Sequence, residues 1–307
     1  MVFAVTILLS AFLLFQVQPI LGKYILPWFG GGASVWTGCL LFFQVMLFAG
    51  YAYAHLLGKI SKRRAAWLHL TLLILSLASL PIKPNPDIWK VGHVDFPQGF
   101  IFLLLLANVG APYFLLSSTG SLFQRWFYLL NKRIPYRLYA VSNIGSLLGL
   151  LAFPFLVEPL MGRNTQVMGW SGFYVLFVVC AGWTAWQMAR APDNGQDANS
   201  NSGASTIPWH HVLLWLCLAA AGSALLLATT NQLTHDVSPI PFLWVLPLSI
   251  YLLSFIICFD NEKWYHRGVF GPLLILSVAG STWALHKGVK VNLWQQIAIH
   301  GLTLFAS

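Results

Sequence analysis

A polytopic α-helical membrane bundle is the fold class this sequence predicts, and three observations predict it. Only 8% of the 307 residues are charged, where a soluble domain carries about a quarter. Hydrophobic residues make up 58%, more than a soluble core of this length can hide. They gather in runs of about 20 residues, the length at which one α-helix crosses a bilayer. In chain order the runs are Val2–Leu21, Val35–Leu57, Ala65–Ile82, Gly99–Leu122, Arg137–Pro159, Val167–Ala189, Trp209–Thr230, Pro241–Asp260 and Gly268–His286. A tenth, partial run starts at Leu293 and stops at Ser307. It is too short to cross comfortably, so the expectation is about 9–10 spans in the front part of something longer.

The first run lacks a basic leader and ends in Gln16, Gln18 and Pro19 rather than in a small-residue cleavage site. It reads as a retained helix and not a signal peptide. GGGAS, Gly30 to Ser34, separates it from the second run. A phosphate-cradling glycine loop needs a strand before it and an amphipathic helix after it in water. A bilayer-length run lies on each side here, so the glycines read as an outer joint.

KISKRR, Lys59 to Arg64, precedes the third run, and RWFYLLNKRIPYR, Arg125 to Arg137, follows the fourth. Basic residues accumulate in short cytoplasmic loops, and these two clusters fall on one side, which puts the N-terminus in the cytoplasm. Phe123 to Arg137 alternates aromatic and basic residues. That pattern suits a segment lying along the inner membrane interface against anionic lipid; docking a cytosolic domain is the competing use. The fifth run carries Asn143, Gly145, Ser146 and Gly149, small or polar residues that let helices pack closely.

After the sixth run comes APDNGQDANSNSGAST, too polar to fold by itself. The chain therefore divides into a first bundle at 1–189, a cytoplasmic linker at 190–208 and a second bundle at 209–307. A break after six spans is the pattern of six-plus-six transporters; an ordinary long loop is the plainer reading.

The net charge of +9 sits in short loops between apolar runs rather than on a groove with stacking aromatics, which excludes nucleic acid as a partner. Cys39, Cys180, Cys217 and Cys258 lie singly within apolar runs and read as buried hydrophobes. His55, His69 and His300 fall within or near span ends, and none has a second ligand at helical spacing, so no metal site is expected. Ser117, Ser118 and Thr119 lack a readable acid and histidine partner, so no catalytic residue is assigned.

Four ordered motifs carry a family resemblance: FQVQPILGKYILPWFGGGASVWTGCLLFFQ, SSTGSLFQRWF, PYRLYAVSNIGSLLGLLAFPFLVEPLMG and TTNQLTHDVSPIPFLWVLPLSIYLLSF. Together they resemble the membrane domain of the bacterial spermidine synthase-like proteins, fused to a major-facilitator-like region. The resemblance implies a multi-pass protein of the bacterial inner (cytoplasmic) membrane. In that family a cytosolic aminopropyltransferase-like domain follows the membrane part. This chain contains no strand, glycine loop and downstream acidic residue of that kind, so neither enzyme activity nor a cofactor is assigned to it.

Two polar joints echo each other six spans apart, FQVQPILGKYILPW and TTNQLTHDVSPIPFLW. Polar groups near a bilayer are costly and mark interior faces or water-filled paths. The candidate binding residues are Gln16, Gln18 and Lys23 at the first joint, Glu158 closing the fifth run, and Asn231, Gln232, His235 and Asp236 at the matching joint. Gln16, Gln18 and Gln44 have cross-helix hydrogen bonding as their other use. A cationic, polyamine-like solute would need carboxylates such as Glu158 and Asp236, with Trp28, Trp36 and Trp244 offering cation–π faces. Glu158 has a structural alternative, pairing with Arg163 or Lys23, and the tryptophans an alternative as interfacial anchors.

The expected function is a transporter-like domain that binds or moves a small cationic solute along a path between the two halves. The alternative is a noncatalytic anchor or assembly subunit that positions a cytosolic synthase-like domain or another protein. Membrane lipids are partners in both.

Overall fold

The computed structural model describes residues 1–30, 33–90, 97–191, 208–235, 241–287 and 292–307. Among them there is no strand, and most residues are helical. The solvent dictates this: lipid satisfies no backbone N–H or C=O, and a helix satisfies them within one segment. The chain is an all-α, multi-pass membrane bundle. It forms two compact units, Met1–Ala191 and Pro192–Ser307; most of the expected linker, 192–207, lies outside the described residues.

The first unit contains α1 (Val2–Phe29), α2 (Ala33–Leu57), α3 (Lys62–Ser76), α4 (Pro97–Asn131), α5 (Tyr136–Leu160) and α6 (Arg163–Arg190). The second contains α7 (Trp209–His235), α8 (Pro241–Asp260), α9 (Arg267–Lys287) and α10 (Leu293–Ala306). Seven helices among the described residues are long and apolar enough to cross a membrane: α1, α2, α4, α5, α6, α7 and α9. Of the nine full spans expected, the third falls short, while the eighth is the 20-residue helix α8 over the expected Pro241–Asp260. α3 has 15 residues, tightens into a 3-10 turn at Leu77–Ser79 and turns extended at Leu80, because the residue before a proline is steered away from the helical region. The described apolar stretch of α8 is Val245–Asp260.

α1 is the centre of the first unit and packs against α4, α5 and α6. Ile7, Leu13, Val17, Leu21 and Ile25 are buried along it, as suits a helix that is apolar all round. Its helix continues past the expected end at Leu21, through Pro27, to Phe29. Gln16, Gln18 and Lys23 are therefore helix residues rather than loop residues. Gly30 ends the helix with φ 89° and ψ 149°, a backbone conformation essentially reserved for glycine. Gly31 and Gly32 lie outside the described residues.

α5 meets α1 backbone to backbone. A Cβ at Gly145 would strike the Leu8 carbonyl oxygen, and one at Gly149 would lie 2.7 Å from that of Phe12. Asn143 is half-buried and donates to Tyr139 O of its own helix at 3.0 Å. The interface is thus made by the neighbouring glycines, as small residues make it in membranes generally.

α4 and α5 each contain a π-helical turn, Leu106–Gly110 and Phe153–Val157. Pro112 follows the first and Pro154 lies in the second. A proline removes one amide donor and crowds the preceding turn, and a wider turn absorbs both effects.

The aromatic–basic segment at 123–137 begins as the last turns of α4, which runs to Asn131, rather than as a separate helix. Phe123 and Trp126 are buried, their ring centroids 4.9 Å apart, and belong to the core-facing side of α4. The helix ends at Lys132, whose φ of 54° is left-handed. Arg125 faces outward and donates from Nη2 to the Gly58 carbonyl at 2.7 Å, capping the end of α2. Arg125→Ala is expected to cost about 1 kcal/mol; thermal unfolding in a single detergent checks this, and an unchanged midpoint would rule the cap out.

In the second unit, α10 packs against α7, α8 and α9. Thr303 Oγ1 donates to Ser277 O at 3.0 Å and lies 2.7 Å from Ser281 Oγ, tying α10 to α9. α7 leaves Leu214, Trp215, Leu216 and Leu218 exposed within its unit, apolar surface that suits lipid. Cys217 and Cys258 are exposed and Cys180 half-buried; only Cys39 is the buried hydrophobe expected of all four.

Candidate functional site

The last turns of α1, the π turn of α5 and the first turn of α6 converge at one end of the first unit. Lys23 extends from α1 and forms an ion pair with Glu158, the residue that follows the π turn. Its Nζ also lies 3.4 Å from Gln166 Oε1 and 5.5 Å from the centroid of the Phe153 ring. Of the two alternatives for Glu158 as a structural residue, Lys23 is its partner. The Arg163 guanidinium instead lies over the Tyr24 ring, 5.8 Å from its centroid.

Gln166 was not legible as a site residue. It is buried, and its Nε2 donates to Met161 O at 2.8 Å and to Val157 O at 3.3 Å. Met161 lies just past the end of α5, and Val157 O, in its last turn, also accepts from Met161 N at 3.1 Å. Carbonyls only accept, so the amide nitrogen must face them and the amide oxygen must face Lys23. The one signal available in the sequence was the polar opening of the sixth run, RNTQ.

Charge is only partly withdrawn from solvent at this site. The Lys23 side chain is 23% exposed and that of Glu158 46%. A pair this open contributes about 0–1 kcal/mol to stability.

Gln16 and Gln18 are used differently. Gln16 is buried and donates to Gly149 O at 2.8 Å, joining α1 to α5. Gln18 donates to the Tyr113 hydroxyl at 3.3 Å, joining α1 to α4. Trp170 Nε1 adds a third bond, to Leu13 O at 3.0 Å, from α6. These are cross-helix bonds of the kind worth about 0.6 kcal/mol each in a membrane. Gln44 is exposed.

The matching residues fall in the second unit. Asn231 is exposed and Gln232 half-buried on the last turns of α7, which runs to His235. Asp236 and the rest of that joint, 236–240, lie outside the described residues.

His69 is placed quite differently from the sequence expectation of a span-end residue. It is at the middle of α3 and fully buried. Its Nδ1 lies 3.2 Å from the Tyr53 hydroxyl, and rings of Tyr53, Phe123 and Trp126 surround it at 5.9, 5.7 and 5.7 Å. Its Nε2 has no hydrogen-bond partner among the described residues. The same residues contain no group of three or more His, Cys, Asp or Glu placed to hold a metal.

No family model matches the chain, and no curated protein or solved structure does. The resemblance to the spermidine synthase-like membrane domain therefore rests on its four motifs.

Proposed function

We propose that the chain is a transporter-like module of the bacterial inner membrane that binds or moves a small cationic solute of polyamine type. The observation that supports this most is Glu158, a half-exposed carboxylate at the end of a membrane helix, among groups that favour positive charge. The Gln166 amide oxygen and the Phe153 ring face both address the ammonium that Glu158 holds. Carboxylates, amide oxygens and aromatic faces are the groups by which proteins recognise amines. With the N-terminus in the cytoplasm, this end of the bundle faces outward, where a solute would enter.

Uptake of labelled spermidine into proteoliposomes tests the reading. The wild-type protein should show saturable uptake, and Glu158→Gln should lower the initial rate by about tenfold or more, a loss of about 1.4 kcal/mol in recognition. Uptake no greater than in empty liposomes, or equal uptake by both proteins, would remove transport through this site.

One observation favours the second reading, a noncatalytic anchor for a cytosolic synthase-like domain or partner. Arg133, Ile134, Tyr136 and Arg137 are exposed together beyond the end of α4. A docking surface there predicts a co-purifying protein that Ile134→Asp releases.

A further inference from the structure

We propose that the ammonium of Lys23 is a tethered stand-in for the amine of the solute, and that exchange between the two unlatches the end of α1 from α5 and α6. This rests on the reading of Glu158 as a cation site and adds the residue that regulates it.

Three chemically different acceptors converge on Lys23 Nζ, and all come from helices other than its own. They are the Glu158 carboxylate, the Gln166 amide oxygen at 3.4 Å and the Phe153 ring at 5.5 Å. A lysine that needed only charge neutralisation would require the first alone. The set as a whole describes a receptor for one primary ammonium.

The receptor is built without help from Lys23. Gln166 is buried and its amide is oriented by two carbonyls of the α5 terminus, so its oxygen presents the same way when Lys23 is elsewhere. Phe153 belongs to the π turn immediately before Glu158, and that turn fixes ring and carboxylate relative to each other. Preorganisation of this kind lowers the cost of holding a free ligand.

The occupant, by contrast, is easily removed. Lys23 reaches the site on a flexible four-carbon stem, and Glu158 is open enough for a second ammonium to approach from outside. Exposed ion pairs are weak, so a solute that brings contacts of its own beyond the one ammonium can displace Lys23, whereas a bare ammonium cannot outcompete the tethered one. Replacement of Lys23 removes its polar tie from α1 to α5 and α6 at this end, leaving the stacking of Arg163 on Tyr24. The Gln16 bond to Gly149 and the Trp170 bond to Leu13 keep the helices joined deeper in the bundle. Solute binding would thereby loosen one end of the central helix only.

Methylammonium, which carries the ammonium without the rest of a polyamine, is the probe. Thermal unfolding of purified full-length Lys23→Ala is followed while methylammonium chloride replaces sodium chloride at constant ionic strength. The midpoint should rise saturably, by about 2–4 °C, because the probe fills the site that Lys23 has left. Wild-type protein, with the site filled, should not respond, nor should Lys23→Ala combined with Glu158→Gln. Lys23→Ser gives the same readout if the alanine variant does not assemble. No response of the single variant, or an equal response of all three proteins, overturns the proposal. Spermidine uptake separates the two ideas: uptake without methylammonium rescue overturns the tethered ammonium alone. Rescue without uptake supports the ammonium site and overturns transport.

Discussion

Gly145→Leu should prevent the first unit from assembling. The α1–α5 contact is backbone against backbone at this position, and a single added carbon already strikes the Leu8 carbonyl oxygen. Overpacking usually costs about 1–3 kcal/mol because neighbouring side chains can yield. Here the neighbour is main chain of the central helix, which moves only with everything packed on it, so the cost should reach about 3 kcal/mol or more. That is a large part of a total stability of about 5–15 kcal/mol. The variant should aggregate or melt far below wild type in size-exclusion and thermal unfolding experiments. Gly172→Leu on α6, where nothing lies within 4 Å of an added Cβ, is the control and should behave as wild type. Equal melting of the two variants would show that α1 and α5 do not meet in this way.

The second large effect is expected at His69. Its ring is fully buried and packed by Tyr53, Phe123 and Trp126 from α2 and α4. His69→Ala leaves a ring-sized void where three aromatic side chains meet, and aromatic-to-alanine changes in cores cost about 3–5 kcal/mol. Imidazole is smaller than a phenyl ring, so about 2–4 kcal/mol is expected. His69→Phe separates packing from polarity. It keeps a ring in place and removes an unpartnered nitrogen, while giving up the contact with the Tyr53 hydroxyl, so its midpoint should stay close to wild type. If the phenylalanine variant were as unstable as the alanine variant, the hydrogen bond to Tyr53 rather than the ring would be what holds α3 to the core.

These two residues also show how much was legible beforehand. Gly145 was readable as a close-packing residue because a small residue in a membrane helix has few other uses. Its partner Leu8 was not readable, since nothing about Leu8 distinguishes it from the other leucines of the first run. His69 was placed near a span end because the third run was counted from Ala65. The helix instead runs from Lys62 to Ser76, starting earlier and ending sooner than expected, which puts His69 at its middle. Phe123 and Trp126 were assigned to lipid because aromatic–basic alternation suits an interface; the turn of α4 directs both rings to His69.

The candidate site divides along the same line. Glu158 and Lys23 stood out as charges next to apolar runs, but whether Glu158 met Lys23 or Arg163 depended on how α1, α5 and α6 are rotated about their axes. Gln166 went unnoticed because an amide at a helix start is ordinary. What distinguishes it is that its amide reaches two carbonyls at the end of α5, those of Val157 and Met161.

That the chain is helical, multi-pass and membrane-embedded follows from the order of its residues alone. Bilayer length and backbone hydrogen bonding are properties of one segment at a time, and both can be counted along the chain. Helix packing set which glycine touches which carbonyl, put His69 in an aromatic cage, and brought Lys23 to Glu158 beside Gln166. Those pairings join side chains far apart in sequence, and their geometry is set by how whole helices rotate and pack against one another.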